Sequence, residues 1–441
     1  MPPPDLDRLA RQLRQGPRPG RELQALLGIS EHALGRLLRG HPERFVRLGA
    51  RKTSTYALVR TIQGVASPVP VFAWGPTAAA PVAPLLQLVP IEPGGFAVLP
   101  AGGGPATRTA DLPWFLQDLR PQGFLGRKVP RVLGGDRFPA DIRAWGADDV
   151  LRYLCIAGRS TAGALVVGEA MCIAAAAHAH QVPRATSEGS LIDILAEQVA
   201  AGVDDPPPGS SAAGEQPKAL AALVDENGVH ELIVKYSPPV LDPIGRRVAD
   251  LLVAEHLASE VIHDHWPSWA ARSTVQLAQG RAWLLSRRFD RSPAGGRRGC
   301  VSLAAVDAEL CDHPPGAPAR WSSTARALGA AGRLDDAAVA RVCRLEAFGH
   351  GIGNTDMHLG NLCLGLSGVE MDGVMPIYDM LPMAWMPQNE LRPIGRLRPA
   401  PDDLAAEVAA VAPAVADFWA RLEADPRASP GFRAALAERA R

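Results

Sequence analysis

The first sixty residues alternate between a helical and a strand-like pattern of apolar positions. The apolar residues first recur three to four positions apart, at Leu6, Leu9, Ala10 and Leu13. This spacing predicts an amphipathic helix. Two further helices are expected at Leu23–Leu27 and Glu31–Arg39, the second of them capped by Ser30. The segments Phe45–Leu48 and Thr55–Val59 read as a hairpin. Residues 1–62 are therefore predicted to form a helix-turn-helix followed by a β wing.

The outward face of the third helix and the turn between the two strands are basic. A helix-turn-helix places its second helix in the major groove of DNA, while basic side chains of the wing reach phosphates. The expected DNA-contacting residues are Ser30, His32, Arg36, Arg39, Arg51 and Lys52. The alternative is a protein-interaction module with a solvated basic face, because winged helices also serve that purpose.

A less regular segment follows, which we assign to residues 63–205. Its first part is rich in Pro, Ala, Gly and Val and contains β-branched stretches at Val69–Trp74 and Leu86–Val89. A helix is expected at Asp148–Cys155 and a buried strand at 163–168. This pattern predicts a small β-containing subdomain, without fixing the order of its strands.

The pattern changes again at residue 206, where we place the start of a lobe that ends at 290. A loop of small residues leads into a strand at Ala219–Val224, a turn at Asp225–Gly228 and a return strand at Glu231–Tyr236. In nucleotide-binding sites such a loop lays backbone N–H groups on phosphates, and a lysine neutralises them. The candidate residues are Ser211, Ala213, Gly214, Lys218 and Lys235. The alternative for Lys235 is a solvated lysine at a strand end.

A polar island, Gly353–Asn361, lies between apolar flanks in the last segment, 291–441. A helix precedes it, and two short strands follow, the second ending at Asp379. Asp356 and Asn361 are five residues apart. Phosphoryl transfer uses such a set, because one carboxylate orients the attacking hydroxyl while an amide and a second carboxylate hold Mg²⁺. A loop of turn-forming residues without chemistry is the alternative.

Composition limits the range of partners. The chain has 441 residues, of which 47% are hydrophobic, and 46 basic residues balance 46 acidic ones. The length favours about three domains, and a nucleic-acid partner would need a local basic patch. The six cysteines contain no C-x-x-C pair, and no apolar segment is long enough for a signal peptide or a membrane span. We therefore expect a cytoplasmic protein without a disulfide framework or membrane contact.

With these pieces assembled, the chain resembles the HipA family of bacterial Ser/Thr kinases between about residues 113 and 385. The motifs that carry this resemblance are Arg120–Arg127, Ser211–Lys218, Lys235, Arg288–Arg291, Asn354–Asn361 and Tyr378-Asp379. The N-terminal winged helix is similar to the arrangement in the YjjJ subgroup of that family. The expected fold class is thus α+β and multidomain, with a winged helix, a small β-containing subdomain and a bilobal kinase-like part whose C-lobe is helical.

The resemblance implies ATP and Mg²⁺ as cofactors and a role for each motif residue. Asp356 would be the catalytic base, with His358 supporting it or the loop, and Asn361 and Asp379 would bind the metal. Lys235 would neutralise phosphates, and Arg288, Phe289 and Asp290 would contact the nucleotide. Ser211 occupies the position of an inhibitory autophosphorylated serine. The acid that pairs with Lys235 stays open among Asp250, Glu255 and Glu260.

The function expected from these features is a toxin-type Ser/Thr protein kinase with its own DNA-binding domain. Its partners would be ATP, a protein substrate and DNA, with an antitoxin and a homodimer as further expectations. One alternative is a DNA-binding regulator whose kinase-like part senses nucleotide or serves as a scaffold. A small-molecule kinase of the aminoglycoside type is another, since it shares the same set of Asp, Asn and Asp.

Overall fold

The computed structural model describes residues 4–50, 53–77, 81, 83–134, 137–176, 182–202, 216–313, 318–387, 390–391 and 397–437. Five of the sequence-predicted site residues, Arg51, Lys52, Ser211, Ala213 and Gly214, lie outside the described residues.

The described residues form both α-helices and β-strands. The helices are α1 Pro4–Leu13, α2 Gly20–Leu27, α3 Glu31–Gly40, α4 Gly123–Gly126, α5 Val129–Leu133, α6 Ala147–Ala157, α7 Glu169–Ala176, α8 Glu188–Ala200, α9 Pro243–His265, α10 Leu303–Leu310, α11 Trp321–Ala330, α12 Asp336–Gly351, α13 Ala405–Ala424 and α14 Pro430–Ala437. The strands are β1 Arg18–Pro19, β2 Phe45–Leu48, β3 Thr55–Leu58, β4 Val69–Ala73, β5 Leu86–Pro90, β6 Phe96–Pro100, β7 Thr107–Thr109, β8 Leu165–Val167, β9 Arg184–Ala185, β10 Lys218–Asp225, β11 Gly228–Tyr236, β12 Ser273–Ala278, β13 Arg281–Arg287, β14 Gly299–Ser302, β15 Cys363–Ser367 and β16 Glu370–Val374.

The N-terminal unit packs helices α1–α3 against a small sheet of order β1-β3-β2. Leucines at helical spacing, among them Leu9, Leu13, Leu23 and Leu34, are buried together in its core. The helices and the hairpin lie where the apolar pattern placed them. Strand β1 was not expected, because a two-residue strand containing Pro19 leaves no periodic pattern to read.

The strands β2 and β3 do not project freely into solvent. Leu48 and Ala57 are buried with Val89, Ile91 and Ala97 of the next sheet. The backbone N–H of Gly49 also donates to the carbonyl of Ala106 at 2.7 Å. The hairpin therefore packs on the middle unit, whose own sheet has the order β7-β6-β5-β4-β8.

The third unit is a five-stranded sheet of order β12-β13-β11-β10-β9, in which β9 and β10 run parallel and the other neighbours antiparallel. Helix α8 covers one face through Leu191, Ile192 and Leu195. The long helix α9 packs on the other face, where its apolar side chains join those of Val275 and Leu284 in the main core. This arrangement presents the inner face of α9 to β11.

The last unit is mostly helical and contains a three-stranded sheet of order β14-β15-β16. The expectation that the second strand after the polar island ends at Asp379 is wrong. Strand β16 ends at Val374, and Pro376 follows, which lacks an N–H for the ladder. Ile377 pairs instead with the segment after α9, donating to the carbonyl of Trp269 at 2.7 Å and accepting from the N–H of Ala271 at 2.9 Å.

Candidate functional site

A buried ion pair joins the strand β11 to the helix α9. Lys235 Nζ lies 2.6 and 2.8 Å from the two carboxylate oxygens of Glu255. Both side chains are almost fully buried, at 7% and 5% exposure. The acid that the sequence left open is therefore Glu255. Asp250 accepts two 2.7 Å hydrogen bonds from Ser429 instead, and Glu260 faces His256 at 3.5 Å.

The same lysine also contacts Asp379, so one ammonium group bridges two carboxylates from different lobes. Burial alone would lower the pKa of Lys235, but the charges of Asp379 and Glu255 outweigh it and raise that pKa. The pKa of Glu255 is raised, because burial dominates for the deeper acid. The pKa of Asp379 is lowered, since Lys235 and Lys218 outweigh the effect of its burial. At neutral pH the lysine is charged and Asp379 is ionised.

Lys218 stands directly beside this group. It occupies the position opposite Lys235 in the antiparallel register of β10 and β11, and its exposure is 4%. Neighbouring cross-strand residues with like charges repel one another, and here the carboxylates Glu255 and Asp379 supply the compensating charge. Lys218 and Lys235 thus both lie next to Glu255 and Asp379. In the sequence, Lys218 comes directly after the small-residue loop.

The polar island forms a loop braced from inside by Asn354. Its side-chain oxygen accepts the backbone N–H of Asp356 at 3.0 Å, and its amide donates to the carbonyl of Asp379 at 3.4 Å. Asn354 is 4% exposed. Sequence reasoning gave this residue no role. The signal available was an Asn two positions before Asp356, since Asn side chains often bond the backbone two residues on. Asn354 holds the two acidic loops in one arrangement.

Thr355, Asp356 and His358 are exposed in this loop. Asn361 donates to the carbonyl of Asp356 at 2.9 Å, which leaves its side-chain oxygen available as a ligand. His358 Nδ1 accepts the N–H of Gly360 at 3.1 Å and caps the short 3-10 helix Leu359–Asn361. The structure thus gives His358 a loop-capping contact.

Asp379 lies in the left-handed backbone region, with φ of 54°. Non-glycine residues adopt this conformation at some cost, and Asp and Asn tolerate it best. Asn354 and Lys235 fix the backbone and the side chain of Asp379, respectively. The conformation therefore turns the Asp379 carboxylate toward the lysine pair.

The segment after β13 is linked to the same loops by two aromatic rings. Phe289 and Tyr378 stack with their centroids 5.7 Å apart. The hydroxyl of Tyr378 donates to the carbonyl of Gly360 at 3.0 Å and lies 3.2 Å from Cys363 Sγ. This segment after β13, the hinge Arg288–Arg291, is thereby held against the polar island and the Asp379 loop.

The carboxylate of Asp290 is buried and accepts several hydrogen bonds within the chain. It accepts hydrogen bonds from Arg288 at 2.7 Å, from Arg291 at 2.7 Å and from the backbone N–H of Gly163 at 2.8 Å. Burial opposes its ionisation, but the charges of Arg288 and Arg291 prevail and hold the pKa of Asp290 below its usual value of 3.8. The contacts fasten the hinge to the middle unit, and the expected nucleotide contact of Asp290 stays a prediction.

The oxygen donors around Lys235 suit the cofactors that the sequence implied. Magnesium prefers carboxylate and amide oxygens together with phosphate and water. Asp379 offers an ionised carboxylate and Asn361 a free amide oxygen, while Lys235 and Lys218 offer positive charge for phosphates. The donor set fits a magnesium–nucleotide complex.

The third helix of the N-terminal unit presents a basic face. His32, Arg36 and Arg39 are exposed on α3, at the helical spacing that puts them on one side. Ser30 caps the helix, accepting the N–H of Ala33 at 3.3 Å. Among the described residues, none of the helices is both long and apolar enough to cross a membrane.

Comparisons with known proteins agree with this architecture. Residues 65–176 match the family described as "YjjJ-like toxin, middle domain", and residues 210–428 match "HipA-like C-terminal domain". The chain is 33% identical over 437 residues to the Toxin YjjJ of Escherichia coli K12, covering 96% of this chain and 94% of that protein.

Solved structures include two similar chains. One comes from the Shewanella oneidensis MR-1 toxin–antitoxin complex of HipA, HipB and operator DNA, with a TM-score of 0.50, 16% identity, and coverage of 84% of this chain and 90% of that chain. The other is the Helicobacter pylori proinflammatory kinase CtkA, with a TM-score of 0.36, 13% identity, and coverage of 52% and 88%. The first likeness shows a HipA-type mixed α+β fold, and the second overlap is too small to carry an argument.

Proposed function

Because this chain belongs to the YjjJ-like toxins of the HipA family, we propose that it is an ATP- and Mg²⁺-dependent Ser/Thr protein kinase. The observation that carries the proposal is the position of Lys235 Nζ, held between Glu255 and Asp379. A buried lysine that joins a helix acid to a metal-binding acid is the arrangement by which protein kinases hold ATP phosphates.

Each side chain then has a defined task. Glu255 fixes Lys235, and Lys235 and Lys218 neutralise the phosphates. Asp379 and Asn361 would hold Mg²⁺, which supplies charge stabilisation for the transferred phosphoryl group. Asp356, exposed at the mouth of the loop, would accept the proton of the attacking serine or threonine hydroxyl. Its position is set through Asn354, which holds its backbone N–H, and Asn361, which holds its carbonyl.

Transfer of label from radioactive ATP tests the proposal directly. The full chain should label itself or a generic protein substrate, and Asp356→Ala should abolish the labelling while leaving nucleotide binding nearly intact. If Ser211 is the autophosphorylation site, the chain with Ser211→Ala should no longer label itself. Labelling that survives Asp356→Ala would show that Asp356 is not the catalytic base. Absence of labelling in the wild-type chain with intact ATP binding would favour a nucleotide sensor.

We also propose that the N-terminal unit is a winged helix that binds DNA through α3. The exposed face of His32, Arg36 and Arg39 supports this, because basic side chains clustered on one helix face are a usual contact for backbone phosphates. Strands β2 and β3 are packed on the middle unit, so α3 carries the main contact in this arrangement. A DNA-binding toxin of this kind could regulate its own operon, with or without an antitoxin.

A gel shift with the full chain and fragments of its upstream DNA tests this second part. Binding should appear at low salt and weaken as salt rises, because counterions are released on phosphate contact. A triple substitution of His32, Arg36 and Arg39 to alanine should remove it. Loss of DNA binding in that variant with unchanged labelling by ATP would separate the two proposals.

A further inference from the structure

Three side chains of different chemistry meet at the end of helix α10, away from the site described above. They are Asp307, Cys311 and His313, and their ligand atoms all lie within 4.8 Å of one another. His313 Nε2 is 2.6 Å from Asp307 Oδ1. All three residues are partly buried.

The local backbone explains why the three side chains converge. Asp307 and Cys311 are one helical turn apart, and the N–H of Cys311 closes the helix on the carbonyl of Asp307 at 3.1 Å. Cys311 itself has extended backbone angles, φ −117° and ψ 122°. Residues two apart in an extended chain point to the same side, so His313 returns to the face that carries Cys311.

We propose that Asp307, Cys311 and His313 form a binding site for a divalent transition metal of the zinc class. Thiolate, imidazole and carboxylate are the ligands that zinc takes in proteins, whereas magnesium and calcium prefer oxygen alone. Three protein ligands leave the fourth tetrahedral position for water. The site is separate from the Asp379 group, whose ligands are all oxygen atoms.

Metal binding here includes a proton balance. Metals bind the thiolate form of cysteine. Formation of the metal–sulfur bond therefore breaks the S–H bond of Cys311 and passes the proton to solvent. The carboxylates of Asp307 and Asp312, close in the chain to Cys311, favour a bound cation.

The simpler alternative is a hydrogen-bonded pair of Asp307 and His313, supported by the hydroxyl of Thr324 at 2.5 Å from Asp307 Oδ1. A hydrogen-bonded pair does not require a thiol, whereas a zinc site does use one. The presence of Cys311 next to Asp307 and His313 therefore favours the metal site. Thr324 belongs to α11, whose first residue, Trp321, donates to the carbonyl of His358 at 2.9 Å. A metal at Asp307 would thus brace the helix that supports the polar island.

The experiment uses the full chain stripped of metal with a chelator. Zinc titrated in competition with a coloured chelator should report one saturable site, with release of a proton. Cobalt in place of zinc should give a thiolate-to-metal charge-transfer band in the near ultraviolet. Cys311→Ser should lose this band, and His313→Gln should weaken zinc binding by at least about tenfold, the loss that even outer-shell changes produce.

Matched controls separate ligand loss from general effects. Cys172→Ser and His263→Gln replace the same residue types outside the cluster and should leave the band and the affinity unchanged. Circular dichroism checks that each variant is folded. Absence of a saturable site in the wild-type chain, or zinc binding unchanged in both Cys311→Ser and His313→Gln, would overturn the proposal. The readouts are metal binding alone, so they do not depend on kinase activity.

Discussion

Asn354 donates a hydrogen bond from its side-chain amide to the backbone carbonyl of Asp379, at 3.4 Å. The two residues belong to loops that are distant in sequence, and Asn354 is also bonded to the N–H of Asp356. One buried side chain therefore sets the relative position of the proposed base and the proposed metal ligand. Pre-organisation of this kind lowers the barrier, since the geometry is paid for in folding.

The first prediction follows from this contact. Asn354→Ala leaves two partly buried backbone groups without this partner, at a cost of about 1–3 kcal/mol, and should slow phosphoryl transfer by about ten- to a hundredfold. Nucleotide affinity should change less, because Lys235 and Lys218 keep their places. The measurement is the rate of label transfer at saturating ATP. Asn227→Ala, in the exposed β10–β11 turn, is the control, and an equal loss of rate there would contradict the assignment.

The second prediction concerns the ion pair. Lys235→Met removes the ammonium that Glu255 and Asp379 share, leaves Lys218 as the nearby positive charge, and should lower the free energy of unfolding by about 3 kcal/mol. The double variant Lys235→Met, Glu255→Gln removes one of the two stranded charges and should recover part of that stability. Activity should stay lost in both. Urea denaturation and label transfer measure the two quantities, and a double variant no more stable than Lys235→Met would refute the coupling.

The third prediction is a pH dependence at Asp290. Its pKa in the folded chain lies below the usual 3.8, so its ionised form stabilises the fold above that pH, and this stabilisation disappears as the pH falls through the folded pKa. Asp290→Asn should cost about 3 kcal/mol near neutral pH, because Arg288 and Arg291 lose their buried partner. The difference in unfolding free energy from wild type should stay flat above about pH 5 and shrink below 3.8. If the difference in unfolding free energy between wild type and Asp290→Asn grew as the pH fell, the prediction would be contradicted.

The fourth prediction addresses the basic helix. Arg36→Ala should weaken DNA binding at low salt and reduce the slope of log affinity against log salt by about one, as expected for one lost phosphate contact. Arg108→Ala, an exposed arginine on β7 of the middle unit, should change neither. Fluorescence anisotropy with labelled DNA at several salt concentrations gives both slopes. An unchanged slope for Arg36→Ala would show that Arg36 does not contact a phosphate.

One part of the candidate site, Asp356 to Asp379, could be predicted from the sequence because its residues are close together in the chain. The spacing of Asp356 and Asn361, and the motif that ends in Asp379, indicated phosphoryl transfer without any structure. The pairing of the strand after the polar island was misjudged at Pro376 and Ile377. Periodicity cannot show that Ile377 pairs with Trp269, more than a hundred residues earlier, because strand pairing depends on which segments meet in space.

By itself the sequence determined the local elements and the identity of the chemical groups, because helix spacing, caps and turn residues act within a few positions of one another. Only the tertiary structure decided which of these groups meet. Three acids of α9 were open as partners of Lys235, and packing of the helix on β11 selected Glu255, since the side chains of a helix turn by about 100° per residue. Asp250, five positions away, faces α14 through Ser429 instead.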